Sequence, residues 1–272
     1  TDSRINAHPD EYVHLRAAEY YVDHAMPPRA CDENTLHTYS PYGVSRLNST
    51  EIAYFLSGKF ASVLEFLPLD TVTRLRYFNV FLFGLLLVMC MGSVPFRLLC
   101  VPLLLSPQIW YVFSYVNSEA IAIFAGMTGV YQLAVPGSGL RRLLEVPRTA
   151  SRVALSLGLG VLVAILLLVK TNFFLVSVYL LLWFLAYVYM RRDIGARRAV
   201  TTVAPIVLVA LALVAGWFGM HEAANDFERE ERVAECRRTV AKSRFSEAAP
   251  LEQTGHTLYW RDKGRPFTDL FE

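Results

Sequence analysis

Charge is scarce in this chain of 272 residues. Only 18% are Asp, Glu, Lys or Arg, against about 25% in ordinary soluble domains. The net charge is +2 and the basic residues form no continuous cluster, which argues against a nucleic-acid-binding protein. Cysteine is sparse too. Cys31, Cys90, Cys100 and Cys236 show no C-x-x-C or Cys/His spacing, so no metal motif is present. There is no internal repeat and no low-complexity tract, which excludes solenoids and fibres. What is abundant is apolar surface: 54% of residues are hydrophobic and mean hydropathy is +0.35. These residues are concentrated between Leu75 and Gly219 in nearly uncharged runs. The composition is that of an all-α integral membrane protein.

A helix crossing ~30 Å of hydrocarbon needs about 20 residues. Six segments are expected to span, some only with their flanks: Leu75–Met91, Arg97–Phe113, Glu119–Val135, Arg152–Val169, Phe173–Met190 and Val200–Phe218. Arg76 and Asn79 near the start of the first are expected to snorkel, and Pro102 and Pro107 to kink the second. Lys and Arg counted in short loops set the orientation. Arg141, Arg142 and Arg148 in one loop, and Arg191, Arg192, Arg197 and Arg198 in another, face the cytoplasm. The organisation expected is therefore residues 1–74 outside, 75–218 as six transmembrane helices, and 219–272 outside. The opening Thr1 and the polar end at Glu272 suggest a longer protein, with a preceding helix that carries the first segment across. Cys31 and Cys236 share the outer compartment, where disulfides form; pairing between them is an open alternative.

The first outer segment has helical signals. His8-Pro9-Asp10-Glu11 reads as a helix start, with acids in the first turn, and the helix runs to about His24. Asp10, His14, Ala17 and Tyr21 share one face of it. A turn-rich stretch containing Tyr39, Tyr42 and Arg46 follows. Asn48-Ser49-Thr50-Glu51 then resembles a capping box opening a helix with Ile52, Phe55, Leu56 and Phe60 at helical spacing. That helix either lies in the membrane interface or packs on its own spans. The charge-rich 228–238 stretch reads as a solvated helix.

Three polar features fall at the outer membrane level: Asp10-Glu11 with His14, Asn117-Ser118-Glu119, and Lys170-Thr171-Asn172. Each has a structural use. Asp10 and Glu11 suit a helix dipole, Glu119 a helix start with Asn117 or Ser118 as cap, and Lys170 a helix end. An Asp10–His14 pair is half a metal site, but no further ligand pattern accompanies it, so no metal is expected. Together, acids and a base brought to one membrane level suit chemistry on a lipid-linked substrate. A carboxylate takes a proton from an acceptor hydroxyl, and a cation meets the charge on a phosphate leaving group. Lys170 serves as a point charge and Arg46 as a bidentate clamp. Tyr39, Tyr42 and Trp260 are candidates for stacking on a sugar.

The Pro9-Asp10-Glu11-x-x-His14 opening, the Tyr115-x-Asn117-Ser118-Glu119-Ala120 turn and the outer Lys170 resemble an uncharacterised bacterial membrane-protein family grouped with the GT-C glycosyltransferases. The resemblance covers most of residues 8–190. It implies a GT-C-like multi-span helical bundle in the bacterial cytoplasmic membrane, with a first outer loop of membrane-parallel helices. It implies transfer of a sugar from a polyprenyl-phosphate donor to a glycan or other acceptor on the outer face, with inversion and no cofactor. On that pattern Asp10, Glu11 and Glu119 are the catalytic candidates. Lys170, His14, Arg46, Tyr42 and Asn117 are the substrate-binding ones. The partners expected are the lipid-linked sugar, its acceptor and membrane lipids. The chain is shorter than usual for such enzymes. The rival readings are a transporter or flippase, and a non-catalytic scaffold for lipid-linked glycans.

Overall fold

A computed structural model of the chain describes residues 11–40, 43–145, 151–191 and 194–240. Among these residues the regular structure is entirely helical. Helices α1 (Glu11–Asp23) and α2 (Ile52–Val63) precede α3 (Thr71–Gly92), α4 (Val94–Leu104), α5 (Pro107–Val112) and α6 (Glu119–Ala134). Then come α7 (Gly139–Glu145), α8 (Arg152–Leu168), α9 (Phe174–Met190), α10 (Ala196–Ala224) and α11 (Arg229–Val240). Four stretches are long and apolar enough to cross a membrane: Thr71–Gly92, Glu119–Glu145, Thr171–Met190 and Ala196–Ala224. With 17 residues, α8 rises about 25 Å at ~1.5 Å per residue.

The stretch expected as one second span, Arg97–Phe113, is two short helices, α4 and α5. The cause is local. Pro107 has no amide to continue the ladder, and it drives Ser106 to extended backbone at φ −79° and ψ 118°. The carbonyl that the break leaves on Leu104 accepts instead from the Trp110 indole N–H at 2.5 Å. Both pieces still run back along α3. Cys90 and Cys100 share one core cluster, and the Phe83 ring meets Trp110 and Phe113, with centroids 5.9 and 5.1 Å away. Asn79 then donates to the Tyr115 carbonyl, so the turn after α5 returns to the end where α3 began.

That end collects the polar elements. The N-terminal half of the expected helix start holds, in that α1 begins by Glu11, but the capping box does not form. Ser45 caps a 3-10 turn at Arg46–Asn48 instead, and Ser49 Oγ donates to the Arg46 carbonyl at 2.7 Å. The α-helix therefore starts only at Ile52, with Glu51 in the cap position and no side-chain cap bond. Of the two placements open to α2, the structure has it packed on its own chain. Gly58 sits against α1 so closely that a Cβ there would lie 2.7 Å from the Ala18 carbonyl oxygen and from Tyr21. Tyr21, Tyr54, Leu75 and Trp217 fill the core between α1, α2, α3 and α10. The Trp217 indole closes that core by donating to the Thr50 carbonyl at 2.8 Å.

α8 and α10 also pack at close range, because a Cβ on Gly160 would lie 2.6 Å from Val209. The far end of the bundle is basic. Glu145 there accepts from Tyr187 and Arg191 at 2.7 and 3.3 Å, and the Arg141 guanidinium lies over the Tyr187 ring.

The open question about the outer cysteines has an answer. Cys31 and Cys236 are disulfide-bonded, with Cα atoms 5.5 Å apart and 205 residues between them. Cys90 and Cys100 are free and buried.

The α1–α2 contact leads to a stability test. Gly58→Ala forces a methyl group into backbone atoms of α1 and is expected to cost about 1–3 kcal/mol. Gly84→Ala in α3, where nothing lies within 4 Å, is expected to be neutral or stabilising. Thermal melts of both variants in detergent measure the difference.

Candidate functional site

Glu11 is fully buried and holds Arg76 by two parallel bonds, Nε to Oε1 and Nη2 to Oε2, both 2.9 Å. Arg76 is 3% exposed. It turns inward to this carboxylate and does not snorkel to the interface. Glu11 Oε1 also accepts the Val116 amide at 3.3 Å. One carboxylate thus ties α1 to α3 and to the turn that leads into α6.

Within that turn, Asn117 is the helix cap. Its Oδ1 accepts from the Ala120 amide at 2.9 Å, while its Nδ2 donates to the Val112 and Tyr115 carbonyls. Both ends of the side chain are engaged with backbone. The cap delivers Glu119 to the first turn of α6, where it pairs with Lys170. Two acids and two bases, far apart in sequence, form two ion pairs at one end of the bundle.

His14, buried on α1, shares a hydrogen bond of 2.8 Å between its Nδ1 and the Tyr54 hydroxyl. That hydroxyl also lies 3.2 Å from Glu51 Oε2, to which it donates. Burial holds the Tyr54 phenol well above the ordinary value near 10, so it stays protonated at neutral pH. Glu51, unused as a cap, faces a cavity of about 330 Å³. Ser49, Thr50, Lys170, Arg229 and Phe218 line the same space. Its apolar floor includes Leu166, Leu167 and Phe174, and these three also line a second, wholly apolar groove of about 340 Å³ between α6, α8, α9 and α10. The groove reaches Gln132 and Leu140 towards the other end of the bundle.

The residues singled out in the sequence divide into groups. Asp10 and Tyr42 lie outside the described residues, as do Arg148, Arg192 and Trp260. Lys170 lines the cavity and Glu119 is its partner. His14 reaches the cavity wall through Tyr54. Glu11 and Asn117 are part of the framework. Arg46 is close enough to the Tyr54 phenol to act on it electrostatically but does not line the cavity. Among the described residues, no three His, Cys, Asp or Glu side chains are grouped as a metal site.

Three side chains around the cavity carry weak signals in the sequence. Glu51 fits a capping box, Tyr54 lies in a helical apolar pattern, and Arg229 opens a charge-rich helix that reads as solvated. Only their tertiary partners distinguish them.

Comparison with known proteins finds no family model, no curated protein and no solved structure that matches this chain.

The Glu11–Arg76 pair has a measurable signature. Arg76→Met leaves a buried carboxylate without its cation and is expected to cost about 3–5 kcal/mol, whereas Glu11→Gln combined with Arg76→Met should recover much of that loss. Unfolding of the two variants side by side tests whether the pair acts as a unit.

Proposed function

We propose that this chain is a membrane glycosyltransferase that moves a sugar from a polyprenyl-phosphate carrier to an acceptor at the outer face of the bacterial cytoplasmic membrane. One observation carries the reading. A cavity bordered by Lys170, Arg229 and Glu51 shares its floor with an apolar groove that runs along the membrane helices. A substrate with an anionic head and a long hydrocarbon tail matches both halves. In such a transfer a carboxylate removes the acceptor hydroxyl proton, and the freed oxygen attacks the anomeric carbon. The bond from that carbon to the phosphate oxygen breaks, and the phosphate leaves with the electron pair. Cations held in place stabilise the departing charge. Asp10, next in sequence to the buried Glu11, is our choice for the base; Glu51 is the carboxylate on the wall of the described cavity.

The distribution of charge favours this over a transporter. Transport sites need ionisable groups near mid-membrane. In the four long stretches, Asp, Glu, Lys and Arg occur only near the ends. Two features support the outward placement of the cavity. Arg141, Arg142, Arg191, Arg197 and Arg198 sit in loops and helix ends on the opposite side, and the Cys31–Cys236 bond joins the cavity-side segments, in keeping with an oxidising compartment.

Native mass spectrometry of the protein, gently extracted with its own lipids, tests the reading without a guess about the acceptor. A bound mass matching a polyprenyl phosphate, with or without a sugar, is the expected result, and it should fall about tenfold or more in Lys170→Ala. Ordinary phospholipids alone, in repeated preparations, would overturn the proposal. Once a donor is in hand, Asp10→Asn should abolish transfer while binding persists; undiminished transfer would remove Asp10 from the mechanism.

A further inference from the structure

The cavity wall is completed from the far end of the chain. Arg229, the first residue of α11, lines the cavity, and among the described residues its hydrogen-bonding partner is the Asn48 carbonyl. A guanidinium has five N–H donors, so most of its capacity remains for a ligand. Lys170, in contrast, is engaged by Glu119.

The position of Arg229 depends on how α11 is held. After α10 the chain reverses through Asp226 and Phe227, both non-glycine residues in the left-handed region, at φ 56° and 62°. Such residues need surrounding contacts to hold them there. Asn225 Oδ1 accepts from the Ala30 amide at 2.8 Å, and Asp226 pairs with Arg29 and Arg232. Those two ion pairs are largely exposed and contribute little. The covalent tie is the disulfide from Cys236 on α11 to Cys31, beside Ala30. Both anchor points, Cys31 and Asn48, belong to the segment between α1 and α2. Closing that bond sets α11 across the segment and Arg229 over the cavity.

We propose that Arg229 is a phosphate-binding residue of this cavity and that the Cys31–Cys236 disulfide is the latch that puts it there, so that the site binds its anion fully only in the oxidised protein. The inference rests on the lipid-phosphate reading above and adds a residue and a condition to it. The chemistry balances as thiol–disulfide exchange. Two thiols lose two protons and two electrons to a disulfide-bearing oxidant of the envelope, and the S–S bond forms. A dithiol returns those protons and electrons when the bond is broken.

The test uses the full chain in detergent with farnesyl phosphate as probe, farnesol as the uncharged control and inorganic phosphate as competitor. Binding is measured before and after treatment with dithiothreitol, with thiol labelling to confirm reduction. Hydrogen exchange is followed over residues 225–240. Reduction is expected to speed exchange in that segment and to weaken farnesyl phosphate roughly tenfold to a hundredfold, the range for losing a charge-assisted hydrogen bond. Arg229→Ala should show the same weakening with the disulfide intact, and reduction should then add little. The Cys31→Ser, Cys236→Ser double variant should behave as the reduced protein without any reductant. Farnesyl phosphate bound equally well after reduction, or by Arg229→Ala, would overturn the latch while leaving the lipid-phosphate reading in place. Equal affinity for farnesol, or no binding by the oxidised protein, would overturn that reading and this inference with it. Competition by inorganic phosphate at concentrations comparable to the probe would reassign the site to free phosphate, with the latch judged by the same two variants.

Discussion

The arrangement at the polar end depends on one buried ion pair. Glu11 and Arg76 are withdrawn from water almost completely, and a charge in such surroundings is tolerated only when its partner and its remaining hydrogen bonds are supplied. Here the supply is specific: a two-pronged guanidinium contact and a backbone amide from Val116. A pair of this kind contributes little net stability compared with apolar residues of the same size. Its effect is on geometry, because sliding α1 along α3 by one turn would strand both charges. With α1 held, the turn at 115–118 is fixed, and the start of α6 brings Glu119 to Lys170.

The cavity beyond is assembled from pieces with no local reason to meet. Residues 49–51 come from an irregular connection, Lys170 from the turn after α8, Phe218 from the last turns of α10, and Arg229 from α11. Each is positioned by something already satisfied elsewhere. The Trp217 indole pins the Thr50 carbonyl, the Tyr54 phenol engages Glu51, and Asn48 receives Arg229. Aromatic side chains with one polar end suit this boundary, since the ring belongs to the packed core and the N–H or O–H to the wet side.

Much of the helical layout was legible in the sequence, because it depends on composition over long windows. The apolar runs, the tight turns at 114–118 and 170–172 and the shared side of the two outer segments could all be read that way. Asn117 as the cap of α6 was one of two choices the sequence left. The misreadings have a common physical origin. Asn48-Ser49-Thr50-Glu51 has the composition of a capping box, but a 3-10 turn capped by Ser45 consumes those residues first, and this freed Glu51 for Tyr54. Arg76 looked like a snorkelling side chain because its partner lies 65 residues away. Pro102 and Pro107 pointed to a kink, and the second of them produced a complete break. Arg229 had no signal, since whether a charged residue in a polar helix faces solvent or a cavity is decided by contacts across the fold.

The Cys31–Cys236 bond also changes what kind of object the chain is. It closes a covalent ring that includes every helix from α2 to α10. A protease that cuts a loop anywhere between the two cysteines therefore yields one molecule with a nick, whose halves part only when the bond is reduced. The ring also closes late: its second sulfur cannot reach the first until the last membrane helix has been laid down and both polar flanks stand on the same side. A chain inserted with one helix too few, or one reversed, leaves those sulfurs facing different compartments. The bond is thus a covalent record that the entire path through the bilayer was completed in the right order.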